Sequence, residues 1–452
     1  MVLTRVTPKT GHPGLRHPGQ VLVFAFLAAA VVGTLLLMLP ISRAGEDRAP
    51  FVTALFTATS AVCVTGLTTV DTATYWSRTG QTVILVLVQA GGFGIMTLAS
   101  LIAVLLSRRM GLRTRLSTAA ETRSVGLGDL RRVLRGVLLV TVVVESVVAA
   151  VLTVRFRVTY DEGWGAATWH GVFHSVSAFN NAGFALFSRN LTGFLTDGFV
   201  LVPISVAVVI GGLGFPVLAE VTRSWRARSW SVHTRLTLLM TAILLVGGTV
   251  FFTVAEWNNT RTIGALAGAD KLLGGWFAAV QPRTAGFNAW DYGGATDETL
   301  LATIMLMFIG GGSAGTAGGL KVTTFAVLFL LIVAEVRGED DVIAFDRRIN
   351  RRLVRRAATV ALLGVAAVIS GTIVLSHLSD ASLRDVLFET TSAFSTVGLS
   401  TGITPQLGAP AQLVLVGLMF LGRLGPITLV SALALRQRNR RYRFPEGAPL
   451  IG

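Results

Sequence analysis

A single cysteine, Cys63, stands among 452 residues, so neither an intramolecular disulfide nor a cysteine metal cluster is available. Charge is also scarce: 14% of residues are Asp, Glu, Lys or Arg, against about 25% in an ordinary soluble domain. With 52% hydrophobic residues and a mean hydropathy of +0.66, little of the chain is left for an independent soluble domain. No nucleophile–base arrangement is recognisable, so the chain does not read as an enzyme. The apolar run from Val21 to Leu39 is too long for a typical secretory core and is expected to stay as a first helix.

Long apolar runs are what the chain does have. Stretches at 19–41, 80–107, 133–154, 197–222, 235–256, 298–335, 355–377 and 411–435 predict eight spanning helices, since about 20 apolar residues cross the hydrocarbon core. The 298–335 stretch is too long for one span and is interrupted by glycine. An even number of spans puts both termini on one side. That side, taken as the N-terminus, the loops at 108–135, 223–235 (with Glu220 just before it) and 335–356 and the tail after 435, carries 27 Lys+Arg and 9 Asp+Glu, against 10 and 14 opposite. By the positive-inside rule the basic face is cytoplasmic, in the cell membrane. The net charge of +15 is thus a topology signal rather than a nucleic-acid footprint.

Between the paired spans one pattern recurs four times: Phe56 to Leu67, Phe173 to Phe184, Trp276 to Phe287 and Phe388 to Leu399. In each copy an aromatic residue lies ten positions before a glycine, Gly66, Gly183, Gly286 or Gly398. The chain therefore reads as four versions of one unit: a spanning helix, a half-inserted helix, a short extended segment and a second spanning helix. The expected fold is an all-α membrane protein with fourfold pseudosymmetry about one pore. Its parts are a cytoplasmic N-terminus at 1–18, repeats at 19–107, 133–222, 235–335 and 355–435, and a cytoplasmic tail at 436–452.

Non-helical backbone at membrane depth is tolerated only where protein buries it or where it lines a watery cavity. Each half-inserted helix would aim its partly negative C-terminal end at the axis. Carbonyls of Cys63, Val64, Thr65 and Gly66, of Asn180, Asn181, Ala182 and Gly183, of Arg283, Thr284, Ala285 and Gly286, and of Ser395, Thr396, Val397 and Gly398 could then replace the water shell of a cation. Glycine last in each set permits backbone angles that a Cβ resists. Packing glycines between helices are the competing explanation for any one copy; four matched copies favour a filter.

The motifs Ser60 to Thr72, Ser177 to Phe184, Arg283 to Asn288, Ser392 to Gly402, Gly310 to Thr324 and Gly422 to Leu429 resemble the Trk/Ktr/HKT superfamily of potassium transporters. They are most similar to the membrane pore subunit of the bacterial Ktr system. The resemblance covers about residues 20 to 435 and implies one pore lined by four loops in each subunit of a homodimer. It also implies regulation by a cytosolic nucleotide-binding ring, with potassium as substrate, sodium as a candidate activator and no organic cofactor in the chain. The loops depart from the TVGYG of potassium channels. In plant relatives a serine in the first loop goes with sodium permeation, so Gly66 points to potassium.

A second glycine signature starts the later helix of each repeat: Gly91-Gly92-Phe93-Gly94, Gly211-Gly212-Leu213-Gly214, Gly310-Gly311-Gly312 and Gly422-Arg423-Leu424-Gly425. Small residues there are expected to let these helices approach one another. Arg423 takes the place of a glycine, and an arginine at membrane depth needs a watery path or an acidic partner. It reads as a latch below the filter, or alternatively as the partner of Glu145. Gly310, Gly311, Gly312, Ser313, Gly315, Thr316, Gly318 and Gly319 fall in ten residues of an apolar span, and each helical glycine costs about 1 kcal/mol relative to alanine. The stretch is expected to unwind under the filter; the resemblance makes it a gate, with Lys321 just beyond. Its match to G-x-G-x-x-G follows no strand and opens no βαβ unit, so dinucleotide binding is not expected.

His170 and His174 have the spacing of a metal pair without an evident third ligand, which favours packing or hydrogen bonding. Asp71, Asp385 and Glu389 fit capping or filter support as well as direct ion contact. The basic run Arg347 to Arg356 holds topology or docks an acidic cytosolic partner. A sodium- or proton-coupled secondary transporter remains the alternative; Glu145 is the one acid clearly inside a span.

Overall fold

The structure, a computed structural model, describes residues 18–114, 127–224 and 226–425. The expected N-terminal segment up to residue 17, most of the first basic loop and the tail, including the end of the 411–435 stretch, lie outside the described residues. Helices dominate. Strand pairing is confined, among the described residues, to a two-stranded antiparallel hairpin, Ile343–Ala344 with Arg347–Arg348, and to two isolated bridges.

Long helices alternate with four short ones, Phe51–Val62, Trp164–Phe179, Gly268–Val280 and Leu383–Ser395. The short helices are buried at their C-terminal ends, where Thr59, Ser60, Ser177, Ala279, Val280, Ala393 and Ser395 have almost no exposed surface. Among the described residues, three long helices are apolar and long enough to cross a membrane unaided: Leu134–Thr159, Val232–Ala255 and Arg351–Leu378. Only 28% of each such window is buried within the chain. The outward sides carry Leu139, Val147, Val250, Val254, Leu362 and Ile373, the apolar belt that lipid requires.

Two expected spans are broken. The stretch 197–222 divides into Gly198–Leu213 and Phe215–Arg223, bent by 97°, at Gly214 with φ +90°. The stretch 298–335 divides into Asp297–Phe308 and Val322–Arg337, and Gly310 to Leu320 lie between as non-helical chain. The first span ends at Leu37, earlier than hydropathy alone predicts, and the last described helix runs from Ala409 to Leu424.

Side-chain caps start several helices outside the apolar belt. Asp71, Asp197, Ser231, Thr296, Asn350 and Ser382 each accept a hydrogen bond from a backbone N–H in the first turn that follows. Asp197 also takes Arg155 Nε and the Tyr160 hydroxyl, each at 2.8 Å. Burial, reinforced by the Asp197 carboxylate, pushes the Tyr160 hydroxyl up to about 12. Glu256 stitches the third repeat through Thr262 at 2.6 Å, Asn259 at 2.7 Å and the Thr296 N–H at 2.9 Å. Burial would raise its carboxyl, but these bonds outweigh it and hold the group below the ordinary carboxylate value.

Candidate functional site

The residues after each short helix share one backbone course. Val64, Asn181, Thr284 and Thr396 have φ of 54°, 59°, 68° and 52°, and Gly66, Gly183, Gly286 and Gly398 have φ of 89°, 69°, 75° and 94°. Cys63, Thr65 and their counterparts stay outside the positive-φ region. A chain that alternates in this way turns successive carbonyls toward the same side. Left-handed backbone costs a residue with a Cβ about 1–2 kcal/mol, which accounts for glycine at the tightest position.

The four glycines close a ring. A Cβ added to Gly66 would overlap the Ala182 carbonyl oxygen and come within 3.1 Å of Gly183 Cα. One at Gly183 would stand 2.8 Å from the Ala285 oxygen and Gly286 Cα. Added to Gly286 it would overlap the Val397 oxygen, and added to Gly398 the Thr65 oxygen, 3.1 Å from Gly66 Cα. Each loop thus touches the next in chain order and the fourth returns to the first, so repeats two and four face each other across the ring. On one side opens a cavity of about 690 Å³, bordered by Gly66, Gly183, Gly398, Asp71, Asn288 and Ser400.

Residues that the sequence reading passed over hold these loops. Ser60 Oγ accepts from Gly66 N at 3.1 Å and donates to the Leu67 carbonyl at 2.8 Å. Ser177 Oγ donates to the Phe184 carbonyl at 2.8 Å, and Ser392 Oγ accepts from Gly398 N at 3.1 Å. The third repeat has Val280 in that register, and the neighbouring Gln281 Oε1 accepts from Phe287 N at 3.2 Å. The signal was present: a serine six positions before the glycine in three of four copies.

Side chains at the first position of each loop face different surroundings. Cys63 is a free, buried thiol. The Asn180 amide donates to Gln89 Oε1 at 2.6 Å and to Glu145 Oε1 at 3.2 Å, in space that a Cβ on Gly92 would fill. Arg283 buries its guanidinium against Thr241, with bonds of 3.3 Å to the carbonyl and 3.2 Å to the hydroxyl. The Ser395 hydroxyl is buried, with no hydrogen-bond partner among the described residues.

The glycine-rich stretch unwinds as expected and lies against the loops. Gly312 N donates to the Gly212 carbonyl at 2.7 Å and Thr316 N to the Gly211 carbonyl at 3.1 Å. Thr316 Oγ1 lies 3.0 Å from the Asn181 amide. A Cβ on Gly318 would overlap Thr396 Oγ1, and Gly319, with φ +60°, lies beside Ser395. Gly310 and Gly311 tie to the far end of the stretch, Gly310 N to Leu320 O at 2.8 Å and Val322 N to Gly311 O at 2.9 Å. Ser313 Oγ is 3.2 Å from Thr323 Oγ1, Gly315 packs on the Gly211 and Gly212 carbonyls, and the Lys321 ammonium donates to the Ala317 carbonyl.

Arg423 is buried and bridges two repeats, donating to the Thr316 carbonyl and, at 3.3 Å, to the Gly91 carbonyl. The pairing with Glu145 considered from sequence is therefore not the one formed: Glu145 contacts Gln89 and Asn180. In the second glycine signature, Gly311 and Gly312 sit against the Gly212 and Leu213 carbonyls of another later helix, as expected, but Gly91, Gly211 and Gly422 work differently. A Cβ on Gly91, Gly211 or Gly422 would overlap the carbonyl of Val62, Phe179 or Phe394, at the C-terminal ends of short helices, rather than another long helix. His170 pairs with Glu162 at 2.8 Å, and His174 Nδ1 meets the His170 carbonyl at 2.7 Å while its Nε2 accepts from Leu186 N at 3.2 Å. Asp71 caps Ala73 N at 2.9 Å, and Asp385 accepts from Ser382 Oγ at 2.6 Å.

Comparison with known proteins matches residues 4–440 to the TrkH cation transport protein family. The chain is 38% identical to "Ktr system potassium uptake protein B" of Bacillus subtilis, covering 96% of this chain and 97% of that protein. It is 36% identical to the protein of the same name in Vibrio alginolyticus, over 96% and 94%. It is 34% identical to "Potassium/sodium uptake protein NtpJ" of Enterococcus hirae, over 96% and 97%. The crystal structure of the potassium transporter TrkH from Vibrio parahaemolyticus superposes with a TM-score of 0.75, covering 94% of this chain and 86% of that one at 16% identity. Sequence and fold agree over nearly the whole length, and the chain belongs to the TrkH family of cation transport proteins, within the Trk/Ktr/HKT superfamily.

Proposed function

We propose that this chain takes up potassium across the cell membrane through a channel-like pore. Its spanning segments form four helix–loop–helix repeats, eight crossings in all, about one axis, with both termini in the cytoplasm. Carbonyls of residues 63–66, 180–183, 283–286 and 395–398 take the place of the ion's water shell. Below them the segment from Gly310 to Gly319, with Lys321 and Arg423, obstructs the path until a cytosolic event moves it. The name shared by two of the similar proteins, a potassium uptake protein of the Ktr system, supports potassium as cargo and a further component as regulator. That component is a nucleotide-binding ring docked on a homodimer with one pore per subunit. The one observation that carries this reading is the ring of Gly66, Gly183, Gly286 and Gly398, each against the next loop's backbone.

Sodium enters as activator or as a coupled ion, the second reading, which the potassium/sodium designation of a 34% identical relative favours. The test is rubidium uptake by vesicles containing the purified chain alone, with sodium varied on either side. Uptake that follows the rubidium gradient and the membrane potential, without a sodium or proton gradient, is expected. Uptake that occurs only with a sodium or proton gradient would establish the coupled mechanism instead, and no uptake in either condition would end the pore reading.

A further inference from the structure

Nine positions before the ring glycine, inside each short helix, the four repeats carry Thr57, His174, Phe277 and Glu389. In repeats two and four, which oppose each other, that side chain grips the chain just beyond the glycine. His174 does so as a neutral acceptor from Leu186 N at 3.2 Å. Glu389 does so with a carboxylate: one oxygen accepts from the Ser400 hydroxyl and the other from the Thr404 hydroxyl at 2.8 Å.

Glu389 has no exposed surface. Its bonds come from the Ser400 and Thr404 hydroxyls and the Thr401 backbone N–H, and among the described residues no Arg, Lys or His forms an ion pair with it. The nearby Arg384 is occupied by Asp297 at 2.6 Å and Asp385 at 3.5 Å. Burying a carboxylate without a counter-charge is among the costliest arrangements a protein can hold. Yet only one hydroxyl separates this carboxylate from the cavity above the ring, since Ser400 both donates to it and borders that cavity. A cation held in that cavity would supply the missing positive charge across the single hydroxyl of Ser400.

We propose that Glu389 is the fixed counter-charge of the outermost cation position, setting how tightly the mouth of the filter holds its ion. The carboxylate does not coordinate the ion; it acts through Ser400 and the fourth loop, as a positioning and affinity-determining residue. An unscreened charge acts over several ångströms in the interior, so its effect falls on binding more than on the rate of passage. His174 across the ring contributes a neutral grip, which makes the field at the mouth lopsided toward repeat four. This rests on the pore reading above.

The test uses the full-length protein in vesicles and compares native chain with Glu389→Gln, which keeps the size and one acceptor, and Glu389→Thr, the residue repeat one uses. Rubidium uptake is measured against rubidium concentration, and protection of the detergent-solubilised protein from heat against potassium concentration. The expected result is a KM for rubidium raised about tenfold, with the potassium concentration for half protection moving by the same factor. The maximal rate should change far less. Ser400→Ala, which removes a bond and leaves the charge, should shift KM by less than Glu389→Gln. An unchanged KM in a folded Glu389 variant would overturn the proposal, as would a lowered maximal rate at unchanged half-protection, which marks a structural role. If the native chain itself takes up no rubidium, the pore reading fails; if it does and the variants match it, this inference alone fails.

Discussion

Repeat three differs from the other three at the level where the ring is supported. In repeats one, two and four a glycine of the later helix sits against the last carbonyls of the short helix: Gly91 on Val62, Gly211 on Phe179, Gly422 on Phe394. In repeat three the corresponding short-helix position is Pro282, and Gly310 packs instead on Gly318 of its own unwound stretch. The hydroxyl that braces the loop elsewhere is replaced by the Gln281 amide. The loop's own hydrogen bond is also shorter in register: Ala285 N reaches the carbonyl four residues back, whereas Thr65, Ala182 and Val397 reach five back. In the third repeat, non-helical backbone from Gly310 to Leu320 lies against the ring loops, with Thr316 and Ala317 buried there, and chain outside regular structure is where movable elements are drawn from.

The largest effect should come from breaking the feature that all four share. Gly183→Ala adds a Cβ 2.8 Å from the Gly286 backbone at φ +69°, and such strain costs about 1–3 kcal/mol before any loop shifts. Rubidium uptake should fall at least about tenfold. Gly247→Ala and Gly417→Ala, whose added Cβ would meet nothing within 4 Å, should leave it unchanged. Uptake within twofold of native in Gly183→Ala would remove the ring from the ion's path.

Next come the contacts that pin the third repeat to its neighbours. Arg423→Ala removes the donors to Thr316 and Gly91; a hydrogen bond from a charged group is worth about 1.5–3 kcal/mol. Uptake by the chain alone should rise severalfold. Arg423→Lys, whose ammonium lacks the planar fork that reaches two carbonyls at once, should fall between. Deleting residues from Gly311 to Gly315 removes the bond of Gly312 to Gly212 and should likewise raise uptake. If neither change alters uptake, repeat three is no more mobile than the others and the contrast is only one of shape.

Much of this contrast was legible from the chain itself. The spacing of the four glycines located the ring, because a backbone course repeated at matched positions leaves the same residue choice each time. The density of glycine between Gly310 and Gly319 predicted the unwound stretch from helix propensity alone. What periodicity could not provide was partnership. Gly214 broke a span that hydropathy read as continuous, because the mean apolarity of 197–222 is indifferent to one left-handed residue. Arg423 found carbonyls rather than Glu145, since a sequence records charge but not which carbonyls an unwound strand leaves free. The second glycine set was ascribed to helix–helix approach; the neighbours of Gly91, Gly211 and Gly422, the ends of short helices, depend on how deep those helices insert. Glu389 was one of several acids near a loop until its lack of a basic partner set it apart.

The smallest expected effect sharpens the comparison most finely. Gln281→Ala leaves Phe287 N without its 3.2 Å acceptor, and an orphaned buried donor costs about 1–3 kcal/mol. Ser60→Ala removes two such bonds, to Gly66 N and the Leu67 carbonyl, and should lower the melting temperature further. Potassium should restore part of the loss in both variants, because an ion bound by the ring of the proposed pore would stabilise the loops that hold it. Equal stability of Gln281→Ala and native protein would mean that the third loop is held by its neighbours in the ring rather than by its own short helix. The division between three braced loops and one differently braced loop would then lie in the strip beneath the ring alone.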